Sequence, residues 1–524
     1  LTEDFILLLW FVIAYWVTSV AIGLWASLRV HNTGDFAVAG RHLPFYMVTA
    51  TVFATWFGSE TVLGIPATFL QENLHGVVAD PFGSSLCLIL VGLLFAAPLY
   101  RMKLLTIGDF YKRRYGRGVE VLTTVAIVLS YLGWVGAQIT ALGLVFNIVS
   151  SGAISQVTGM WIGSATILVY TFFGGMWAVA VTDFIQMIII VIGMLWIGGE
   201  IAGQTGGVMN VVRHAAAEGK FNFWPEANFA AIAGFIASWC TMMFGSMPQQ
   251  DVFQRVQSSK SEKIAIWGSV LGGSLYFFFA FVPMFLAYSA TLIDPAMVSS
   301  LINDDPQKIL PTLVLTKAPM FAQVMFFGAL LSAIKSCASA TLLAPSVTFS
   351  ENILRPMFPH MSDRQLLRNM RIVTVCFTIL VTLYAMNSQA SIFKMVENAY
   401  QVTLVSAFIP LACGVYWARA TNQGALFSIF CGIGMWLSLL TTSTMTAEKI
   451  ATLPSALDFF FKVIQPLQVL TPQGAGVIAS AIGMVVGSLL PQVFKHDPQV
   501  HHRLRNAHLA ANADEPIGTH HHAH

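Results

Sequence analysis

The sequence predicts an all-α integral membrane protein with about thirteen transmembrane helices, and three observations carry that prediction. Hydrophobic residues are 56% of 524 and charged residues only 10%, whereas a soluble globular domain carries about 25% charge. Apolar runs such as residues 5–25 and 184–199 approach the roughly 20 residues that a membrane helix needs, and their uninterrupted character argues against a β-barrel. Basic residues, finally, segregate to one set of alternating loops, as the positive-inside rule requires.

Taken in order, the expected spans are 5–28, 45–70, 80–101, 120–150, 156–173, 180–203, 228–254, 264–292, 320–350, 367–386, 391–417, 422–444 and 474–493. The first lacks the basic leader and small-residue cleavage site of a secretory signal, so it reads as a retained helix, although a chain starting at Leu1 points to a trimmed N-terminus. With the N-terminus outside, nineteen Lys and Arg fall inside (Arg101 to Arg117 and Arg255 to Lys263 among them) and six outside, including Lys308, Lys317 and Lys449. An even number of spans would scramble that asymmetry. The expectation is therefore a multi-pass protein of the plasma (inner) membrane with a cytoplasmic C-terminus. Six cysteines lie scattered in apolar spans without CxxC spacing, which implies neither disulfides nor zinc. The tail beyond residue 494 reads as disordered, and its His520, His521, His522 and His524 as part of that tail rather than a metal trap.

Two spans depart from the apolar norm. The second carries Gly58, a polar cluster and Pro66; the seventh carries Gly245, a polar cluster and Pro248. Glycine and proline weaken a helix, and freed backbone groups survive in a bilayer only where they face protein or water. The tripeptide Phe-Gly-Ser recurs at both places (57–59 and 244–246), so the spans read as broken helices in corresponding positions of two inverted repeats of five. The organisation expected is 1–44 as a first helix and inner loop, 45–203 as the first repeat, 204–417 as the second, 418–493 as additional helices and 494–524 as a tail.

Lys335 stands out in the ninth span, where a charge is expensive unless paired or wet. Two readings stay open. Either its ammonium pairs with Asp183, which sits one turn from Gln186 at the inner end of the sixth span, or it points into a polar pocket with Ser332 and Ser339 on its own face. Periodicity does not orient this helix.

Four motifs, GDFAVAGRHLP (34–44), LTIGDFYKRRYG (105–116), GGMWAVAVTDFIQ (174–186) and PQQDVFQRVQSSKSEKIA (248–265), resemble the sodium:solute symporter family. The resemblance runs from about residue 34 to 444 and implies a LeuT-type 5+5 inverted repeat with two broken helices. It implies a cation site made by carbonyls of Ala54, Phe57 and Ala333 and the hydroxyl of Ser336, bordered by Asp183. Cys337 stands where the family usually has a second hydroxyl, and a thiol is a poor ligand for a hard ion. Lys335 occupies a position that is normally apolar, so it is a candidate substitute for the cation.

Within the family, ATWFG (54–58) and YLGWVGAQITALG (131–143) resemble high-affinity choline transporters. That likeness places Trp56 and Trp134 in an aromatic cage for an ammonium, with Ser84 and Gln249 where the cage has further aromatics. Glu60, Gln138 and Gln250 complete the expected substrate site. The function expected is secondary active import of a small polar organic solute, an amino acid or amine, by cation-coupled symport with alternating access. No enzyme motif such as HExxH or GxSxG occurs, no cofactor is implied beyond Na+ or H+ as coupling ion, and the partners expected are the bilayer and the solute, without nucleic acid or an obligate protein. Two alternatives remain: a proton-coupled or uncoupled transporter in which Lys335 replaces sodium, and a ligand-sensing receptor of transporter fold, against which the lack of an output domain argues.

Overall fold

The computed structural model describes residues 3–444 and 454–495. Lys449, Arg503, Arg505 and the histidines at 520–524, used above to read topology and the tail, lie outside the described residues. Those residues are almost entirely helical, with no strand among them.

Ten helices are long and apolar enough to cross a membrane, or eleven when one bent pair counts as a span. This does not fix the number at thirteen, for two physical reasons. The first interrupted helix has only twelve residues, Phe45–Trp56, before its break. Gln156–Gln204, by contrast, runs for 49 residues, roughly 70 Å if straight at about 1.5 Å per residue. It is not straight: Gly175 takes φ 49° and ψ −141°, and a Cβ there would lie 2.5 Å from the Phe36 carbonyl oxygen. Only glycine accommodates both that backbone and that approach, so residues 156–173 and 180–203 form two arms.

Both breaks occur where the sequence places them. After Trp56 the chain leaves helical geometry at Phe57 (φ −84°, ψ 73°), then resumes through a wide turn, Glu60–Gly64, into Ile65–Glu72. The second interrupted helix starts at Asn228, whose side chain accepts from the Ala231 amide in the manner of an N-cap. It ends at Gly245, and Pro248, lacking an N–H, precedes a second segment, Gln250–Ser258, bent by 44°. The start of the first interrupted helix and the end of the second are stitched by backbone bonds: Leu43 N–H donates to the Ser258 carbonyl at 3.0 Å and Lys260 N–H to the Leu43 carbonyl at 2.9 Å.

Met320–Phe349 is the axis of the molecule and is almost wholly buried. It packs on Gln156–Gln204, on Arg117–Val149 and on the first helix, Glu3–Ala26. Lys335 is therefore surrounded by protein rather than lipid.

Small residues let the backbones approach, the usual device in helix packing within a membrane. At Gly245 an added Cβ would lie 2.4 Å from the carbonyl oxygen of Tyr400. Gly245→Ala is thus expected to lower stability by about 1–3 kcal/mol through overpacking, read as a lower unfolding temperature in detergent; an unchanged melt would show that the break has slack.

Candidate functional site

Four rings meet between the two breaks: Trp56, Tyr131, Trp134 and Tyr400, all buried. Trp56 stacks on Tyr400 with centroids 6.1 Å apart and meets Trp134 edge-on at 5.4 Å; Tyr131 stacks on Trp134 at 6.1 Å. Each indole N–H is aimed at a different carboxylate. Trp134 Nε1 donates to Glu60 Oε1 at 3.2 Å, and Trp56 Nε1 to Asp251 Oδ2 at 3.3 Å.

The Glu60 carboxylate also accepts from Gln138 Nε2 at 2.6 Å, while Gln138 Oε1 accepts from the Ser59 amide at 2.9 Å. One glutamine thereby satisfies both a backbone donor freed by the break and the acid beside it. Asp251 accepts from the Tyr131 hydroxyl at 2.6 Å. A third acid, Asp80, accepts from Ser84 Oγ at 2.7 Å and from the Tyr276 hydroxyl, which also contacts Thr61 Oγ1 at 3.1 Å.

Of the residues expected to bind substrate, Trp56, Glu60, Trp134 and Gln138 are brought together directly. Ser84 reaches the group through Asp80 and Tyr276. Gln249 lies at the second break, where its amide donates to Ser130 Oγ at 2.9 Å and Thr403 Oγ1 at 3.2 Å. Gln250 does not join them: its side chain turns toward the inner loop, accepting from the Ile107 amide at 2.8 Å, because successive side chains on a helix diverge by about 100°.

On the far side of the first interrupted helix, Ser336 Oγ donates to the Ala54 carbonyl and lies 3.2 Å from the Ala333 carbonyl. Three of the expected cation-site residues are therefore in mutual contact, and Phe57 terminates the same helical turn. Cys337 Sγ faces Glu60 Oε1 at 4.0 Å. Asp183 accepts from Thr51 Oγ1 at 2.6 Å and Thr55 Oγ1 at 3.4 Å, and its other oxygen has no partner. Neighbouring Gln186 is buried with both amide atoms unpartnered.

Two expectations are corrected. Arg255 is not a residue of an inner loop: it is 2% exposed, and its guanidinium donates to Thr55 Oγ1 at 2.7 Å and to the Asp251 carbonyl at 3.0 Å. Lys335 makes no ion pair with Asp183. Its Nζ has no hydrogen-bond partner and sits over the rings of Trp16 at 4.3 Å, Tyr15 at 5.5 Å and Tyr170 at 5.5 Å. These rings belong to the first helix and to the arm before Gly175, so the ammonium is held by cation-π attraction away from the face on which Ser336 meets Ala54. Thr51, Thr55, Asp80, Tyr131, Asp251 and Tyr400 were missed by the sequence reading, although Tyr131 and Asp251 lie within motifs it quotes and Thr51 and Thr55 share a helix face at i, i+4.

A family model described as the sodium:solute symporter family matches residues 36–432. High-affinity choline transporter 1 of Caenorhabditis elegans is 26% identical over 446 residues, covering 80% of this chain and 76% of that protein. The human high affinity choline transporter 1 is 25% identical over 445 residues, with 80% and 75% covered. Sodium/glucose cotransporter 4 of Danio rerio is 23% identical over 471 residues, with 80% and 70% covered. Among solved structures, a Na+-coupled sialic acid symporter in a substrate-bound outward-open state superposes with TM-score 0.74 at 19% identity, over 92% of this chain and 97% of that one. The fold implied by the resemblance is the fold present.

The caged ammonium generates a direct expectation. Replacing a buried charge by an apolar side chain of similar volume is often neutral or stabilising, whereas stripping a carboxylate of its partner costs about 3–5 kcal/mol. Lys335→Met is expected to hold or raise the unfolding temperature; a large fall would mean that an acid depends on Lys335.

Proposed function

Because the chain belongs to the sodium:solute symporter family, we propose that it imports a small amine-bearing organic solute, with Na+ as the coupling ion, by alternating access. It is a multi-pass membrane transporter, not an enzyme. The observation that carries the choice of solute is the aromatic box with carboxylates at its edges: ring faces attract cations, and buried acids in a low-dielectric site favour positive cargo strongly. Trp56, Trp134, Glu60, Gln138 and Gln249 are assigned to the solute in this reading, with Tyr131, Tyr400 and Asp251 added.

The ion is assigned to the carbonyls of Ala54, Phe57 and Ala333 and the Ser336 hydroxyl, all hard oxygen donors. Asp183, tied to Thr51 and Thr55, borders it, and Cys337 supplies the soft position. Lys335 is not assigned to the ion in this reading, because its ammonium lies over Tyr15, Trp16 and Tyr170 while Ser336 meets Ala54.

Uptake of labelled amines, amino acids and neutral solutes into proteoliposomes, under separate sodium and proton gradients, tests the reading. Accumulation of an amine driven by sodium supports it; accumulation driven only by protons, or confined to neutral or anionic solutes, overturns it. Ser336→Ala should raise the half-saturating sodium concentration by about tenfold, or about 1.4 kcal/mol for one lost ligand oxygen, and Cys337→Thr should lower it. Trp56→Ala should raise the half-saturating solute concentration while folded protein persists.

The orientation assigned is N-terminus outside and C-terminus inside, in the plasma (inner) membrane, on the strength of the basic asymmetry. Single cysteines placed in the segment 294–317 should react with an impermeant reagent on intact cells, and those in 103–117 should not. Efficient labelling of both would overturn the assignment.

A further inference from the structure

The box carries more acceptors than one ammonium can use. A carboxylate offers about four lone-pair positions; Glu60 accepts from Trp134 and Gln138 and meets the Cys337 thiol at 4.0 Å, and Asp251 accepts from Trp56 and Tyr131. Neither forms an ion pair among the described residues. The nearby cation, Arg255, donates to the Asp251 carbonyl and to Thr55 rather than to a carboxylate, and its Nε has no partner; Asp80 adds a further acid behind Tyr276, and Lys335 is caged among rings of other helices.

An independent observation points to a ligand. The Tyr400 hydroxyl is buried without any hydrogen-bond partner, although its ring stacks on Trp56 and tilts against Trp134 at 5.4 Å. The Ser59 hydroxyl, next to Glu60 at the break, is also buried and unpartnered. Leaving such groups unsatisfied costs about 1–3 kcal/mol each, so a solute with several donors completes them.

A quaternary ammonium satisfies the rings and leaves every one of these acceptors empty, because it has no N–H to give. From the two carboxylates without an ion pair, one at each indole N–H, and the unpartnered hydroxyls of Tyr400 and Ser59, we propose that the solute is an organic dication with N–H donors at both ends, an α,ω-diamine in chemical class. This rests on the amine-import reading above and narrows it. One ammonium binds at Glu60 and the other at Asp251, and the aliphatic link runs past the edge contact of Trp56 and Trp134. The charge-assisted hydrogen bonds so formed are the strong kind.

The test is sodium-driven uptake by the full chain in proteoliposomes of straight-chain α,ω-diamines of increasing length, each beside the monoamine of equal length, with choline as the probe lacking N–H donors. A diamine of matching length is expected to half-saturate at about a tenfold lower concentration than its monoamine, the factor that one added charge-assisted bond gives, and choline is expected to compete poorly. Asp251→Asn and Glu60→Gln should each bring the diamine-to-monoamine ratio toward one. Equal affinity across the series in the unmodified protein, stronger choline binding, or a ratio unmoved in both variants overturns the dication. Sodium-driven monoamine uptake without diamine preference would overturn this inference alone, while uptake of none of the amines would overturn the import reading as well. The unmodified protein decides by itself should either variant fail to fold.

Discussion

Interrupting a helix in a medium without water is the constraint on which the rest of this structure depends. Every backbone group released by a break must find a partner inside the protein, and the partners found here come from other helices. The Ser59 amide is taken by Gln138, the Ala54 carbonyl by Ser336, and the Gly245 carbonyl by Thr403 at 2.6 Å. Each bond fixes a helix that also carries a site residue. Trp134 rides with Gln138 on Arg117–Val149, Cys337 with Ser336, and Tyr400 with Thr403, so satisfying the backbone assembles the box around the breaks.

The same constraint sorts the charges. Glu60, Asp80, Asp183 and Asp251 are all buried near the interrupted helices, and Arg255 is the buried guanidinium among them. Lys335 is adjacent in sequence to Ser336, yet about 100° of helix rotation sends its ammonium to Tyr15, Trp16 and Tyr170 while Ser336 faces Ala54. An ammonium on the Ser336 face would repel a second cation by several kcal/mol even at an effective dielectric near 20. Caging it among aromatic rings keeps the charge without placing it against the proposed ion position. It also gives the first helix, Glu3–Ala26, a polar anchor on the central one.

What the sequence could disclose follows a physical division. Composition and periodicity disclose the spans, and glycine with proline discloses both breaks, because those are local properties of the chain. Motifs disclose Trp56, Trp134 and Gln138, and the polar cluster beside the first break discloses Glu60. They do not disclose Tyr400 or Thr403, which reach the box from a distant helix, Ile392–Thr403, and stand in no motif. Rotation about the helix axis is equally invisible: small polar residues are spread around Met320–Phe349, so nothing in its pattern chooses a face for Lys335, and the adjacent Gln249 and Gln250 part because successive side chains diverge by about 100°. Arg255 reads as a loop residue because basic residues follow it, yet the bend at Pro248 carries its helix back under Thr55. The span count stayed open because a break shortens one helix below the length of a bilayer crossing while a glycine kink merges two others into one run.

The bonds at the centre fall into two sets, and their arrangement explains how an ion can be linked to a solute. One set joins the interrupted helices to each other and to their neighbours: the backbone stitch at Leu43 and the Asp80, Tyr276 and Thr61 chain. The other set joins them across a seam to Arg117–Val149, to the arm after Gly175 and to the central helix, through Glu60, Asp251, Asp183 and Ser336. On the proposed assignment both ligands sit on that seam, the solute between Glu60 and Asp251 and the ion between Ala54 and Ser336. Glu60 and Cys337, 4.0 Å apart, join the two positions. A ligand that binds one arrangement of the seam better than another must, by linkage, raise the affinity of any second ligand sharing that preference. Coupling then needs no long pathway, since a single set of hydrogen bonds, broken and remade as one group of helices tilts against the other, is common to both sites.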